Sequence, residues 1–255
     1  MYNINRVIKK LTPHRSAAEL FKYFSDEKDC VFLDSSLVNG LGRYSIIGVR
    51  PYLKLVKDDH GFFINEQKVS ELSFEEYLKK YLSEHKDQNK SRLPMLSGAI
   101  GYFSYEYGRK LMEIPSHKEN LVTIPDAVLV FYDMYIIEDC HEKKTFLVAN
   151  GITEDAEKLI ESVEKRLTEV LLEKEQVADG SFNIEITPNF KKEEYKQAVD
   201  EMIRYIIEGD IYITNMTQQL EVKSNKKPLD VFYDLRENNP SPFGGYMDYG
   251  DFQIV

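Results

Sequence analysis

Apolar residues recur along the chain at two spacings, which together predict a mixture of strands and helices. Short apolar runs and alternation of apolar with polar residues predict strands, several of them joined as hairpins by polar turns. The strands predicted in this way cover residues 5–11, 30–34, 43–49, 52–57, 62–65, 127–137, 144–149, 210–222, 245–249 and 252–255. In this interpretation Pro51 interrupts the apolar run and separates two strands.

Helix starts are marked by capping residues followed by apolar stripes at helical spacing. Ser16 and Ser73 each precede a glutamate by three residues, the spacing of a capping box. Thr153 is predicted to cap a helix whose apolar side runs from Ala156 through Val170 and Leu171. A further stripe over 195–207 predicts a helix that ends at Gly209, and a short helix is expected over 228–237. The order of elements predicts an α+β fold, with antiparallel β-sheets and helices packed outside them.

A domain boundary is predicted within residues 173–189, where an acidic stretch gives way to glycine, serine and proline. We therefore expect an N-terminal domain over 1–180 and a second unit over 187–255. The alternating pattern runs on to Ile254 and Val255 without a polar tail. Because such an edge would recruit other chains, we expect the second unit to be incomplete.

Charge and composition exclude several classes of partner and several kinds of site. The 33 Lys and Arg against 43 Asp and Glu give a net charge of −10, which argues against nucleic acid or an anionic membrane surface as a partner. The sequence contains no apolar run long enough to span a membrane, and it has no secretory signal. A cytoplasmic protein is therefore expected. Cys30 and Cys140 are too few for a disulfide framework or a four-thiolate metal site.

The sequence contains no dinucleotide-binding, P-loop or nucleophile-elbow motif. The main candidates for functional residues therefore lie in the segment 211–220. The five histidines lack a second ligand at helical or hairpin spacing, so we interpret them as solvated. The segment begins with apolar alternation and then carries five uncharged polar residues among the six from Thr214 to Gln219. Since buried amides and hydroxyls need hydrogen bonds, this predicted strand either lines a polar pocket or lies exposed on the surface.

Residues 208–218, from Glu208-Gly209-Asp210 to Gln218, resemble the signature that opens the chorismate-binding domain of anthranilate and aminodeoxychorismate synthases. Other motifs of this family follow one another in the expected order over nearly the whole chain. The matching segments are 42–48 with Pro51, 98–106, 124–127 with 131–133, 239–243 and 250–252.

The resemblance implies component I of a two-subunit enzyme, with the anthranilate synthase component I-like fold in truncated form. Such an enzyme aminates chorismate with ammonia from a glutamine amidotransferase (glutaminase) subunit and holds Mg²⁺. Within the family an asparagine at the position of Asn215 is more typical of aminodeoxychorismate synthases, which make 4-amino-4-deoxychorismate for folate and 4-aminobenzoate. Anthranilate synthase component I is the alternative, and a non-catalytic tryptophan-binding or subunit-docking fragment is another.

By the same resemblance, Asn215, Thr217 and Gln218 form one wall of the substrate pocket. The family's metal ligands and catalytic residues lie further downstream, so none is expected before Val255, and the 255-residue polypeptide alone is expected to lack synthase activity.

The family also has a tryptophan pocket in its N-terminal half. Its candidates here are Ser35, Leu41, Gly42, Arg43, Tyr44, Pro242, Phe243 and Gly244. Gly244 departs from the pattern, since tightly regulated members have a larger residue there. Plain packing by Arg43, Tyr44 and Phe243 is the alternative interpretation.

Overall fold

The structure, a computed structural model, describes residues 5–115, 122–168 and 184–255. Packing divides the chain into two compact units. The large unit comprises Met1–Leu172 and Pro228–Val255, and the small unit comprises Glu173–Lys227. Among the described residues, no helix combines the length and the apolar character needed to cross a membrane.

Strands and helices alternate along the chain. In chain order they are β1 Val7–Lys10, α1 Ala17–Phe21, β2 Val31–Asp34, β3 Tyr44–Asp58, β4 Gly61–Ile64, β5 Gln67–Val69, α2 Phe74–Glu84, β6 Ala99–Phe103, α3 Tyr105–Leu111, β7 Ala127–Asp139, β8 Lys144–Ala149, α4 Ala156–Thr168, β9 Glu185–Pro188, α5 Lys192–Glu208, β10 Leu220–Lys223, α6 Pro228–Asn238, β11 Gly244–Asp248 and β12 Gln253–Ile254.

One antiparallel sheet organises the large unit. Its main path runs β1-β8-β7-β3-β2-β11-β12, with β4 and β5 continuing from β3 and with β6 paired to β7. The central strand β7 is buried along its whole length except at Leu129, because apolar side chains leave it toward both faces. The long apolar run in the sequence therefore marks the middle of the sheet.

Helices cover one face of this sheet. Leu20 and Phe21 of α1, Leu159 and Ile160 of α4, and Phe232 of α6 share one core with the sheet. Two further apolar clusters complete the packing of the large unit. The α+β architecture of antiparallel sheet with outer helices is confirmed.

Pro51 does not end a strand, contrary to prediction. β3 runs continuously from Tyr44 to Asp58 against β7, and its register shifts between Pro51 and Leu53. Arg50, just before the proline, has a positive φ of 59°. A bulge of this kind lets a residue without an N–H remain inside a paired strand.

The predicted helix starts at Ser16 and Ser73 are confirmed. Each hydroxyl accepts a hydrogen bond from the backbone N–H three residues later, at 3.2 and 3.1 Å. At Ser73 the reciprocal bond from Glu76 completes the capping box, whereas Glu19 binds the Arg15 guanidinium instead.

The predicted cap of α4 is wrong. The Asp155 carboxylate, and not Thr153, accepts the free N–H groups of Glu157 and Lys158 at 3.1 and 3.2 Å. Thr153 instead donates its hydroxyl to the buried carboxylate of Asp133, at 2.6 Å. The predicted continuation of this helix to Val170 and Leu171 lies outside the described residues.

The small unit contains α5 and a two-stranded antiparallel ribbon of β9 and β10. α5 ends at Gly209 with φ of 86°, as predicted. The predicted strand 210–222 is wrong over most of its length, because only Leu220–Lys223 is strand. A strand needs a partner for its backbone groups, and β9, which was not predicted, supplies one over only four residues.

The compact units do not follow the predicted ranges 1–180 and 187–255. β11 pairs with β2 from Gly244 opposite Asp34 to Met247 opposite Val31, and α6 contributes Phe232 to the core of the large unit. The end of the chain therefore packs with the large unit, since a β-strand joins whichever edge offers matching hydrogen bonds. That residues 187–255 open a catalytic domain stays a prediction.

Candidate functional site

A cavity of about 490 Å³ lies in the large unit where β11 pairs with β2. Most of its lining is apolar. The lining residues are Leu33, Asp34, Ser35, Tyr44, Ile46, Pro242, Phe243, Gly244, Gly245, Met247, Ile254 and Val255. Phe243 is 74% exposed, so its ring borders solvent. A volume of this size is typical of small-molecule sites.

Serine side chains hold the two loops beside the cavity together. The Ser35 hydroxyl lies 2.8 Å from the carbonyl oxygen of Tyr44 and 3.0 Å from that of Pro242. The Ser241 N–H donates to the Ser36 hydroxyl at 2.9 Å, and the Ser36 hydroxyl donates to the Ser241 carbonyl at 3.2 Å. The bonds from Ser35 to Pro242 and between Ser36 and Ser241 join residues that are 207 and 205 positions apart in the chain, so this part of the cavity wall is fixed only in the folded protein.

Gly42 is required by the close approach of the same loops. A Cβ atom at this position would lie 2.2 Å from the Leu37 carbonyl oxygen and 2.9 Å from the Pro242 Cα atom. Both contacts are with backbone, which cannot move aside cheaply. Gly42 therefore supports the cavity from outside its lining.

Asp34 is the one acidic side chain in the lining, and it is almost fully buried. The Ser45 hydroxyl donates to Asp34 Oδ1 at 3.2 Å, and Arg236 Nε lies 2.9 Å from Oδ2 in an ion pair. Burial raises the pKa of Asp34, while Arg236 and Ser45 oppose that rise. The carboxylate is thus occupied by protein partners, and a ligand would meet mainly apolar surface.

Arg43 belongs to a neighbouring ion pair and does not line the cavity. Its guanidinium donates to Asp139 at 2.7 Å and lies over the Tyr44 ring, 4.9 Å from the centroid. Burial raises the pKa of Asp139, but the bonds from Arg43 and from the backbone of Glu142 outweigh it, so the pKa lies below its ordinary value. Arg43 therefore packs against Tyr44, a residue that does line the cavity.

The sequence predicted part of this lining. Ser35, Tyr44, Pro242, Phe243 and Gly244 line the cavity together. The other three predicted residues do not, because Leu41 is exposed, Gly42 packs against Pro242 and Arg43 pairs with Asp139. The role of the lining as a tryptophan site stays a prediction.

Sequence reasoning missed Asp34, Met247 and Ile254, which the pairing of β2, β11 and β12 brings to the cavity. Ile254 belongs to the alternating apolar end of the chain. That alternation was the one signal that could have placed it on a sheet face.

The predicted substrate wall lies in the small unit. Asn215, Thr217 and Gln218 are exposed, in a stretch without regular structure between α5 and β10. The neighbouring Tyr212 and Ile213 are also largely exposed. Their part in binding substrate stays a prediction.

No three His, Cys, Asp or Glu side chains among residues 5–115, 122–168 and 184–255 come together as a metal site. The Mg²⁺ that the resemblance implies therefore does not fit the residues described, and we derive no step through it.

Comparison with known proteins agrees with this architecture. A model of the chorismate binding enzyme family matches residues 29–255. Anthranilate synthase component 1 of Acetivibrio thermocellus is 30% identical, over 92% of this chain and 52% of that protein. Aminodeoxychorismate synthase component 1 of Bacillus subtilis (strain 168) is 28% identical, over 84% and 47%.

A solved structure gives the same result for the fold. The crystal structure of anthranilate synthase component I from Streptococcus pneumoniae TIGR4 superimposes with a TM-score of 0.69 at 24% identity, covering 86% of this chain and 51% of that one. The chain spans about half the length of the relatives that it matches. Because the family model matches most of the sequence, the chain belongs to the chorismate binding enzyme family.

Proposed function

We propose that this chain is part of component I of a synthase that aminates chorismate, using ammonia released by a glutamine amidotransferase subunit. The observation that carries the proposal is the family match over residues 29–255. Both named relatives are first components of synthases, which supports a separate subunit that supplies the nitrogen. Mg²⁺ would belong to the whole enzyme.

The product we propose is 4-amino-4-deoxychorismate, in which an amino group replaces a ring hydroxyl that leaves as water. Asn215 supports this product, because its amide can hydrogen-bond the hydroxyl or amine that is exchanged. The relative from Acetivibrio thermocellus supports the second candidate, anthranilate. The two products differ in composition, because anthranilate formation also releases the enolpyruvyl side chain as pyruvate and 4-amino-4-deoxychorismate retains it, so chromatography separates them.

A covalent chimera tests the reaction. This chain is joined to the part of the Bacillus subtilis relative that it does not match, and the fusion is incubated with chorismate, Mg²⁺ and ammonium. The expected product is 4-amino-4-deoxychorismate. Formation of 2-aminobenzoate would establish the second candidate, and a folded chimera without either product would overturn both. The 255-residue chain alone is expected to give no product.

For the cavity we propose an α-amino acid with a large apolar side chain, tryptophan, as ligand. The apolar lining and the volume of about 490 Å³ support it. Calorimetry with L-tryptophan is expected to show saturable binding. Gly244→Leu adds a side chain to the lining and should abolish the heat, whereas Gly40→Leu serves as the control, because a Cβ at Gly40 meets nothing within 4 Å. Equal heats from the two variants would contradict the proposal.

A further inference from the structure

Four buried polar side chains form a row across the sheet of the large unit. Ser45 lies opposite Glu138 in the pairing of β3 with β7, and Glu138 lies opposite Thr145 in the pairing of β7 with β8, so the three side chains share one face. Asp34 of β2 joins them, because the Ser45 hydroxyl donates to its carboxylate at 3.2 Å. All four residues are buried. This polar row therefore connects β8 with the strand that borders the cavity.

His14 lies at the outer end of the polar row. Its Nδ1 is 3.0 Å from the Thr145 hydroxyl oxygen, and its Nε2 is 3.4 Å from Glu138 Oε1. A threonine hydroxyl has a single proton, and Thr145 donates it to the Arg15 carbonyl at 2.6 Å. Thr145 can therefore only accept from His14. The hydrogen bonds thus place the proton of the neutral imidazole on Nδ1.

This tautomer requires a further proton between His14 and Glu138. In the neutral ring Nε2 carries a lone pair, which faces a carboxylate oxygen. Two acceptors repel each other unless a proton lies on one of them. The other oxygen of Glu138 already accepts the Ala17 N–H at 2.6 Å, and the neighbouring Arg15 guanidinium is paired with Glu19. Because the His14 side chain is 29% exposed, the proton can exchange with solvent.

Arg236 of α6 supplies the positive charge at the inner end of the row. Its Nε lies 2.9 Å from Asp34 Oδ2, and the charges of both residues also act on Glu138. Cys140 faces the row too, 3.6 Å from the Ser45 hydroxyl, but burial raises the pKa of its thiol, which stays neutral. With a proton at the outer end, the guanidinium neutralises Asp34 alone. Without that proton, two buried carboxylates compete for one guanidinium.

The ion pair of Asp34 with Arg236 is part of the support of the cavity wall. Asp34 directly precedes Ser35 and Ser36, whose hydroxyls donate to the carbonyls of Pro242 and Ser241. α6 leads directly into the same loop, residues 239–243. A weaker ion pair therefore loosens the wall from two sides, through β2 and through α6.

We propose that His14 and Glu138 share one proton and that its release weakens the cavity wall, so that the cavity binds its ligand more tightly at about pH 6 than at about pH 8. The shared proton follows from the geometry of the large unit alone. The effect on ligand binding rests on the proposed function of the cavity.

NMR of the histidine rings tests the shared proton in the absence of ligand, with His14→Gln identifying the His14 signal. The neutral ring is expected to carry its proton on Nδ1. Asp34→Asn removes a negative charge from the row and should lower the midpoint of the His14 titration by about 0.3 pH unit or more. Asp126→Asn changes another buried carboxylate, which pairs with Lys110 before the far end of β7, and should leave the midpoint unchanged. A proton on Nε2, or a midpoint that Asp34→Asn does not move, would overturn the shared proton.

Calorimetry with L-tryptophan tests the effect on the cavity. The wild-type chain is expected to bind about threefold or more tightly at pH 6 than at pH 8. Glu138→Gln places an amide N–H where the shared proton lies, so this variant should bind equally at the two pH values. His60→Gln, in an exposed turn, should keep the wild-type difference. Equal wild-type affinities, or a pH difference that persists in Glu138→Gln, would overturn the proposal.

Hydrogen exchange of residues 243–247 reports on the wall without ligand. After correction for the intrinsic exchange rate, protection should be greater at pH 6 than at pH 8 in the wild type and equal in Glu138→Gln. If tryptophan does not bind at either pH while this difference is present, the ligand proposed for the cavity is wrong and the control by the shared proton stands. If the difference is absent, the proposed control is wrong whether or not tryptophan binds.

Discussion

α4 and α5 are two amphipathic helices with similar sequence patterns, but their apolar stripes are buried to different extents. α4 buries Leu159, Ile160 and Val163 against the sheet of the large unit. α5 has an equally regular apolar stripe, in which Tyr195, Val199 and Met202 are only half-buried and Ile203 and Ile206 are exposed. The sequence pattern of a helix thus indicates which face is apolar, and the neighbouring elements determine whether that face is buried.

The strands show the same contrast. β7 lies in the middle of a sheet and pairs along both edges, with β3 and β8 among its neighbours. β9 and β10 pair with each other over four residues and expose both faces. Burial of apolar surface is the main source of stability, so the two units are expected to respond very differently to equivalent substitutions.

The largest difference is expected between matched truncations in the two helices. Leu159→Ala removes fully buried atoms from the core and should lower the free energy of unfolding by about 3 kcal/mol. Ile203→Ala on the exposed stripe of α5 should change it by less than about 1 kcal/mol. Urea unfolding followed by circular dichroism measures both. Similar losses would show that α5 is packed as firmly as α4.

Substitutions at two glycines distinguish the destabilising effect of a steric clash from that of an unfavourable backbone conformation. Gly42→Ala forces a Cβ against the backbone of Leu37 and Pro242 and should cost about 2 kcal/mol. Gly209→Ala meets no atom within 4 Å, but its φ of 86° is unfavourable for alanine and should cost about 1 kcal/mol. Thermal unfolding gives the order, and a more harmful Gly209→Ala would reverse the interpretation of the two loops.

A smaller effect is expected from Glu138, a carboxylate buried in the large unit. Its Oε2 accepts the Ala17 N–H at 2.6 Å, while His14 Nε2 lies 3.4 Å from Oε1. Burial raises the pKa of Glu138, opposed by the Ala17 N–H and by the charges of His14 and Arg236, while Asp34 adds to the rise. The folded protein therefore binds this proton more tightly than the unfolded chain.

The raised pKa of Glu138 makes its contribution to stability depend on pH. Stability from this group is complete below the unfolded pKa near 4.5 and is lost as the pH rises through the higher folded value. Glu138→Gln removes that loss, so the stability of the variant relative to wild type should increase from pH 4 toward neutral pH. Denaturant unfolding across this range checks it, and a difference that shrinks with pH would contradict the assignment.

Local sequence signals predicted the elements that depend on neighbouring residues. The helix that begins after Ser73, the hairpin of β7 and β8 and the stop of α5 at Gly209 all follow from contacts within a few positions. The continuity of β3 through Pro51 and the short extent of β10 could not be predicted this way. Both depend on strands that lie far away in the sequence or were not recognised.

The cavity shows the same limit. Ser35 and Pro242 came from resemblance to a family, and no local pattern joins them. The ion pair of Asp34 with Arg236 spans two elements that meet only because β11 pairs with β2. Predicting these residues from sequence requires the register of the sheet, which alternation of apolar residues does not provide.

Hydrogen exchange of α4, α5 and the β9–β10 ribbon compares the two units, since it reports local stability amide by amide. In the chain alone, the amides of α4 should be strongly protected and those of α5, β9 and β10 weakly protected. Protection of α5 equal to that of α4 would contradict this difference between the two units.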